Sequence, residues 1–356
     1  MTTQQATRQA ARQTTPRATR QTTPQPAGRI DALESFDING MRQWVLLRGN
    51  LAARRVLLVV QQGPGFPFIQ DARAFERTLH LESEGVVAYW DQRGTGKSYR
   101  AEPATVTVAQ SVADVRAVVD ALCARFGVER VDILGLSIGG SFAVMAAARD
   151  PARIGRLVVV GLDVDWGESE RWAYAFARDE ATRRGDRRAL RQLDAIGAPP
   201  HDTAKKFLTR ARWVAAYGGV NTRRGYYGLL WDNASRVLRS PHYALRERLP
   251  ILAAIDTTLG LMVAPANHFD LRTRVPRLEV PITFLQGRKD VGTNPHVVAR
   301  YADALDAPRG KALVWFEESA HMPYYEEPAR FREALLRALS SNQTSALPRG
   351  ASRASA

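Results

Sequence analysis

Cysteine is nearly absent from this 356-residue chain. A single one, Cys123, cannot form an internal disulfide, which suits a reducing compartment. Its setting, VADVRAVVDALCARFG, spaces apolar residues as a helix does, so a buried, inert thiol is expected rather than a nucleophile. Long apolar runs are missing too. No stretch comes near the roughly 18 residues that cross a bilayer, and the N-terminus lacks the apolar segment of a secretory signal, so a cytoplasmic chain with no membrane partner is expected. Acid is missing from residues 1–29, where Arg8, Arg12, Arg17, Arg20 and Arg29 stand among Thr, Gln, Ala and Pro. With Arg349 and Arg353 at the other end, the tails carry seven of the fourteen net positive charges. The folded part is therefore far less basic than the total suggests, and no nucleic-acid partner is expected. Residues 1–29, with RQTTP repeated at 12–16 and 20–24 and no large apolar residue, predict a disordered basic tail, and 341–356 a second disordered tail.

What is present begins at Ile30. Asn39-Gly40 inside SFDINGMRQWVLLRG predicts a hairpin. Apolar strands in RRVLLVVQQG, VVAYW, VDIL and RIGRLVVV then alternate with helical text around 71–83 and 108–126. That alternation predicts a mostly parallel sheet covered by helices on both faces. The rhythm stops between about Asp165 and Asp270, where the text is helical and rich in Arg, Trp and Tyr. It resumes with the strand VPITFLQG, a helix near 295–306, the strand KALVWFEE and a helix over 327–340. The expected organisation is an α/β core over 30–164 and 273–340 with a helical cap, 165–272, over the C-terminal ends of the strands, where such sheets bind ligands.

GLSIGG, Gly135 to Gly140, lies between the strand VDIL and a helix, the context in which G-x-S-x-G lifts a serine hydroxyl above a sheet. A serine needs a histidine base and an orienting carboxylate, in the chain order Ser, acid, His. Of six histidines, His80 precedes Ser137, and His201, His242 and His268 fall in the cap. His296 starts a predicted helix only six residues past the best acid, which leaves His321, in a loop after the last strand. Asp290 follows a buried strand and is the preferred acid, with Asp163 the alternative one strand earlier. The oxyanion donors are expected to be the N–H of Ile138 and one from QQGPG, Gly63 or Gln62. DQRGTGKS at 91–98 is nearly a phosphate loop, but Asp91 stands where such a loop needs glycine, which argues against nucleotide binding.

Together QQGPG, DQRGTGKS, GLSIGG, GRKD at 287–290 and the histidine of SAHMPYYEEP resemble the proline iminopeptidase family of α/β-hydrolases, over about residues 30–165 and 273–340. The resemblance implies an α/β-hydrolase fold and a serine aminopeptidase acting on a small-molecule or short-peptide substrate, with no metal or cofactor. Two departures stand out. The family's HGGPG is QQGPG here, and the W-x-x-W-E type cap stretch that holds a free amine is missing. Glu168, Glu170, Asp179, Glu180 and Asp232 are candidates for an amine site, and Trp172, Trp213, Tyr217, Tyr227 and Trp231 for an apolar pocket. An esterase or lactonase without amine recognition is the alternative, and the oligomeric state stays open.

Overall fold

A computed structural model of the chain describes residues 19–22 and 28–340. Nine strands form one sheet: β1 (Thr19–Thr22), β2 (Arg29–Ile38), β3 (Met41–Asn50), β4 (Val56–Val60), β5 (Val86–Asp91), β6 (Val131–Leu136), β7 (Ile154–Val160), β8 (Ile282–Gly287) and β9 (Lys311–Phe316). They lie in the order β1-β2-β3-β5-β4-β6-β7-β8-β9, antiparallel as far as the β3–β5 pair and parallel from there on. Asn39 and Gly40 both take positive φ (50° and 76°), the geometry that turns β2 directly into β3.

The parallel strands read as unbroken apolar runs because both faces are covered. In β5, Val86, Ala88 and Trp90 join one core cluster while Val87 and Tyr89 join the other. The first face is closed by α2 (Val108–Phe126), α3 (Ile138–Arg149) and α10 (Pro295–Ala304), the second by α1 (Ala72–Leu79) and α12 (Pro328–Ser340). Cys123 is buried in α2.

The cap consists of α4 (Trp166–Arg184), α5 (Arg187–Ile196), α6 (Ala204–Ala216), α7 (Tyr226–Arg239) and α8 (Leu245–Ala266). The chain enters and leaves it side by side. Asp165 bridges Asp270, the Leu271 N–H donates to Val164 O, and Arg272, in the short helix α9 (Leu271–Arg274), pairs with Asp165, Glu168 and Asp270. The helix α11 (Pro323–Glu326) follows the loop that bears His321.

Two expectations need correction. The tail expected to be disordered over 1–29 contributes β1, which pairs antiparallel with Ala32–Ser35; an edge strand needs only backbone partners, and β2 offers them without demanding an apolar sequence. Residues 1–18, 23–27 and 341–356 lie outside the described residues. The second concerns α8, whose 22 residues and hydropathy of 1.6 make it long and apolar enough to cross a membrane by length and composition. The sequence masks this because Arg246, Glu247 and Arg248 open the helix and Asp256 interrupts it. One face of α8 buries Ile251, Leu259, Met262 and Val263 inside the protein, while Leu245 and Leu249 near its start are exposed.

Candidate active site

The elbow after β6 is built by close approach of backbone. Ser137 has φ 53° and ψ −130°, a strained conformation for a residue with a side chain, and its N–H is tied to Val160 O at 2.8 Å. A Cβ on Gly139 would lie 2.2 Å from Gln61 O, and one on Gly135 2.5 Å from the Gly140 Cα. Gly135 and Gly139 are thus required by neighbouring backbone, and together they seat Ser137 at the mouth of α3. Ile138 is the first residue of α3, so its N–H has no partner within the helix and sits at the positive end of the helix dipole.

The candidate acid and base meet across two loops. His321 Nδ1 lies 2.9 Å from Asp290 Oδ2. Asp290 is itself held by the Gln286 amide (2.9 Å), the Thr293 N–H (3.0 Å) and the Thr293 hydroxyl (2.9 Å). Burial pushes the His321 imidazole toward neutrality, but the carboxylates of Asp290, Asp163 and Glu326 outweigh it and raise its pKa above the usual value. The ring fits between two glycines: a Cβ on Gly161 would fall 2.8 Å from Nδ1, and one on Gly292 3.0 Å from Cγ. Neither glycine was singled out from sequence, since neither belongs to the motifs.

Asp163, the alternative acid, does not hold Nδ1. Its carboxylate accepts from the Ser169 hydroxyl at 2.8 Å, at the start of the cap, and its carbonyl from Ser141 at 2.6 Å. Burial raises its pKa to about 7, and His321 and Arg210 act against that rise. His296, the other late histidine, is exposed at the start of α10, edge-on to Trp172.

QQGPG keeps its loop through side chains the family motif lacks. The Gln61 amide donates to Phe66 O (3.1 Å) and to the Thr95 hydroxyl (3.2 Å), joining this loop to DQRGTG. The Tyr324 hydroxyl donates to Gln62 Oε1 at 3.1 Å, tying the loop of the candidate donor Gly63 to α11. Beneath, Asp91 accepts from the N–H groups of Phe68 (2.7 Å), Ile69 (3.0 Å) and Lys97 (2.8 Å) and from the Tyr243 hydroxyl (2.8 Å). The Lys97 amide that would cradle a phosphate is taken by this carboxylate. Arg93 makes two bonds to buried Asp114, at 2.7 and 3.1 Å. The DQRG segment is a brace under the site.

The cap candidates are spent elsewhere. Glu170 is buried against Arg210 and His201, Glu168 pairs with Arg272 and Arg300, Asp232 with Arg224, and Glu180 with Arg183 and Arg184. Trp213 packs in the cap's own core, its indole N–H on Gln192, and Tyr227 and Trp231 are exposed. Four of the five candidate carboxylates thus already have a cation, and the fifth, Asp179, is exposed on α4. Trp172 is different: its indole N–H donates to Asp290 O at 3.3 Å. Among the described residues no cluster of His, Cys, Asp and Glu could hold a metal ion.

Comparison with known proteins gives consistent likenesses. A model of the alpha/beta hydrolase fold matches residues 86–328. A Bacillus subtilis (strain 168) protein named "Probable aminopeptidase YbaC" is 26% identical over 310 residues, 86% of this chain and 96% of its own. A pimeloyl-[acyl-carrier protein] methyl ester esterase of Nitrosospira multiformis is 25% identical over 206 residues, 58% of this chain and 66% of its own. The crystal structure of a Mycobacterium smegmatis proline iminopeptidase superposes with a TM-score of 0.57 at 18% identity, covering 87% of this chain and 98% of that one, a likeness of fold.

Proposed function

Since the chain belongs to the alpha/beta hydrolase fold family and is an enzyme of the hydrolase type, we propose that it is a serine hydrolase in which Ser137, His321 and Asp290 form the catalytic triad. The observations that carry this reading are the His321–Asp290 bond at 2.9 Å and the strained elbow of Ser137, whose N–H donates to Val160 O, the residue before the Gly161 that flanks the imidazole. The Ser137 hydroxyl attacks the substrate carbonyl while His321 Nε2 takes its proton; Asp290, on Nδ1, fixes the tautomer and stabilises the imidazolium. The N–H groups of Ile138 and Gly63 receive the negative oxygen. Collapse of the tetrahedral intermediate breaks the bond to the leaving group, which takes the proton from His321. Water, deprotonated by the same imidazole, then attacks the acyl-enzyme, and release of the acid returns the proton to Ser137.

Two substrate classes are supported by different observations. The motif resemblance and the aminopeptidase relative support removal of an N-terminal residue of the proline iminopeptidase type. The pairing of Glu168, Glu170, Glu180 and Asp232 with arginines supports an ester or lactone acted on without amine recognition, as does the esterase relative. Rates on a prolyl arylamide and a short-chain p-nitrophenyl ester, with Ser137→Ala as the blank, separate them. Arylamide cleavage abolished by blocking the amine establishes the aminopeptidase. Ester turnover alone removes it, and turnover surviving in Ser137→Ala sinks the serine mechanism.

A further inference from the structure

Glu326 lies five residues after His321, is 1% exposed, and among the described residues pairs with no cation. What surrounds it instead is four hydrogen-bond donors. Oε1 accepts from the Thr222 N–H and the Thr222 hydroxyl, both at 2.7 Å; Oε2 accepts from the N–H groups of Ala320 (3.1 Å) and Met322 (3.2 Å). Ala320 and Met322 are the two chain neighbours of His321, and Thr222 belongs to the cap. The same cap segment reaches the triad loops twice more: the His321 N–H donates to Val220 O at 3.1 Å and the Val291 N–H, next to Asp290, to Gly219 O at 2.9 Å.

We propose that Glu326 is a positioning residue of this site, its carboxylate clamping the main chain on both sides of His321 to the cap segment Gly219–Thr222. The inference rests on the reading of Ser137, His321 and Asp290 as the triad. Its chemistry follows from the donor set. All four partners donate, so both oxygens must accept, which only an ionised carboxylate can do without turning a donor on a donor. A glutamine would face its NH2 toward two N–H groups, and an aspartate is one methylene too short to span both loops. The clamp also sets charge. The ionisable groups acting on the imidazole are Asp290 from the loop after β8, Asp163 from the end of β7 and Glu326 from α11, and all three favour the protonated ring.

The test uses the full chain and an ester that the wild type cleaves. Glu326→Gln is expected to lower kcat by about 10- to 100-fold, the effect of a misplaced catalytic group, with KM little changed. The ascending limb of the pH–rate profile is expected to move to lower pH, because one anion favouring the imidazolium has gone. Glu326→Asp keeps the charge and should lower kcat while leaving the limb in place. The midpoint of the His321 ring proton titration, followed by NMR, should fall in Glu326→Gln even in protein that turns nothing over. If Glu326→Gln does not fold, Thr222→Val removes one of the four donors and should cost several-fold in kcat with the limb unmoved. A folded Glu326→Gln with wild-type kcat and an unmoved midpoint overturns the clamp, as does a loss of activity that only tracks the loss of folded protein. Turnover persisting in Ser137→Ala strikes the triad reading instead and leaves the NMR midpoint to decide the clamp.

Discussion

The imidazole of His321 is held by what its neighbours omit. Gly161 has φ 53°, and a methyl there would sit 2.8 Å from Nδ1 and 3.2 Å from Asp290 Oδ2. Gly161→Ala therefore adds a strained backbone, worth about 1 kcal/mol, to a displacement of the base. We expect a kcat lower by about 100-fold, since misplacement on the ångström scale costs that much, against a modest fall in melting temperature; ester kinetics alongside calorimetry would show whether activity drops more than stability. Asp163 offers a second residue-scale outcome. Its pKa of about 7, raised by burial, stands above the roughly 3.9 of an unfolded aspartate. Between those values the native state binds the extra proton, so this group's contribution falls as pH rises through the window and is constant above it. Asp163→Asn should raise the melting temperature relative to wild type at pH 8 and not at pH 4, and an equal difference at both pH values would refute the assignment.

At the scale of elements, α11 joins three parts of the protein within four residues. Tyr324 reaches Gln62 of the QQGPG loop, Tyr325 reaches Arg236 of α7, and Glu326 reaches Thr222. The replacement of the first glycine of the family's HGGPG by Gln62 is thereby matched by an acceptor for Tyr324. Tyr324→Phe keeps the ring packing against Phe75 and Phe331 but frees Gln62. If Gly63 is an oxyanion donor, kcat should fall several-fold with KM nearly constant; an unchanged kcat would transfer that role to another amide. The strands and helices that build this frame were legible in sequence because apolar runs, an Asn-Gly turn and G-x-S-x-G carry local signals. Ser137, Asp290 and His321 were chosen as candidates by motif, strand-end position and elimination among six histidines, and the structure brings Asp290 and His321 together. Glu326 and the two glycines around the ring were not, since their roles exist only where distant loops meet. β1 escaped for the same reason: its four polar residues have no strand character except beside the edge of β2.

Over the whole molecule, the cap is where sequence pattern misled, because charged and aromatic residues on helices look alike whether they face a substrate or one another. Of the 36 acids set against 50 lysines and arginines, Glu168, Glu170, Glu180 and Asp232 in the cap pair with nearby arginines, an outcome that composition favours but spacing cannot reveal. Three acids gather around His321, Asp290 and Asp163 from the core and Glu326 from α11. Their sum fixes the direction of the enzyme's pH response. Burial alone would lower the histidine's pKa, but the carboxylates of Asp290, Asp163 and Glu326 reverse the sign. The base must be neutral to accept the Ser137 proton. Activity should therefore climb through a midpoint above about 6.5, the unperturbed histidine value, and be lost below it as the ring protonates. A profile of kcat/KM against pH measures that midpoint in the free enzyme. One lying below 6.5 would mean that desolvation dominates and that the three carboxylates do not act on His321 together.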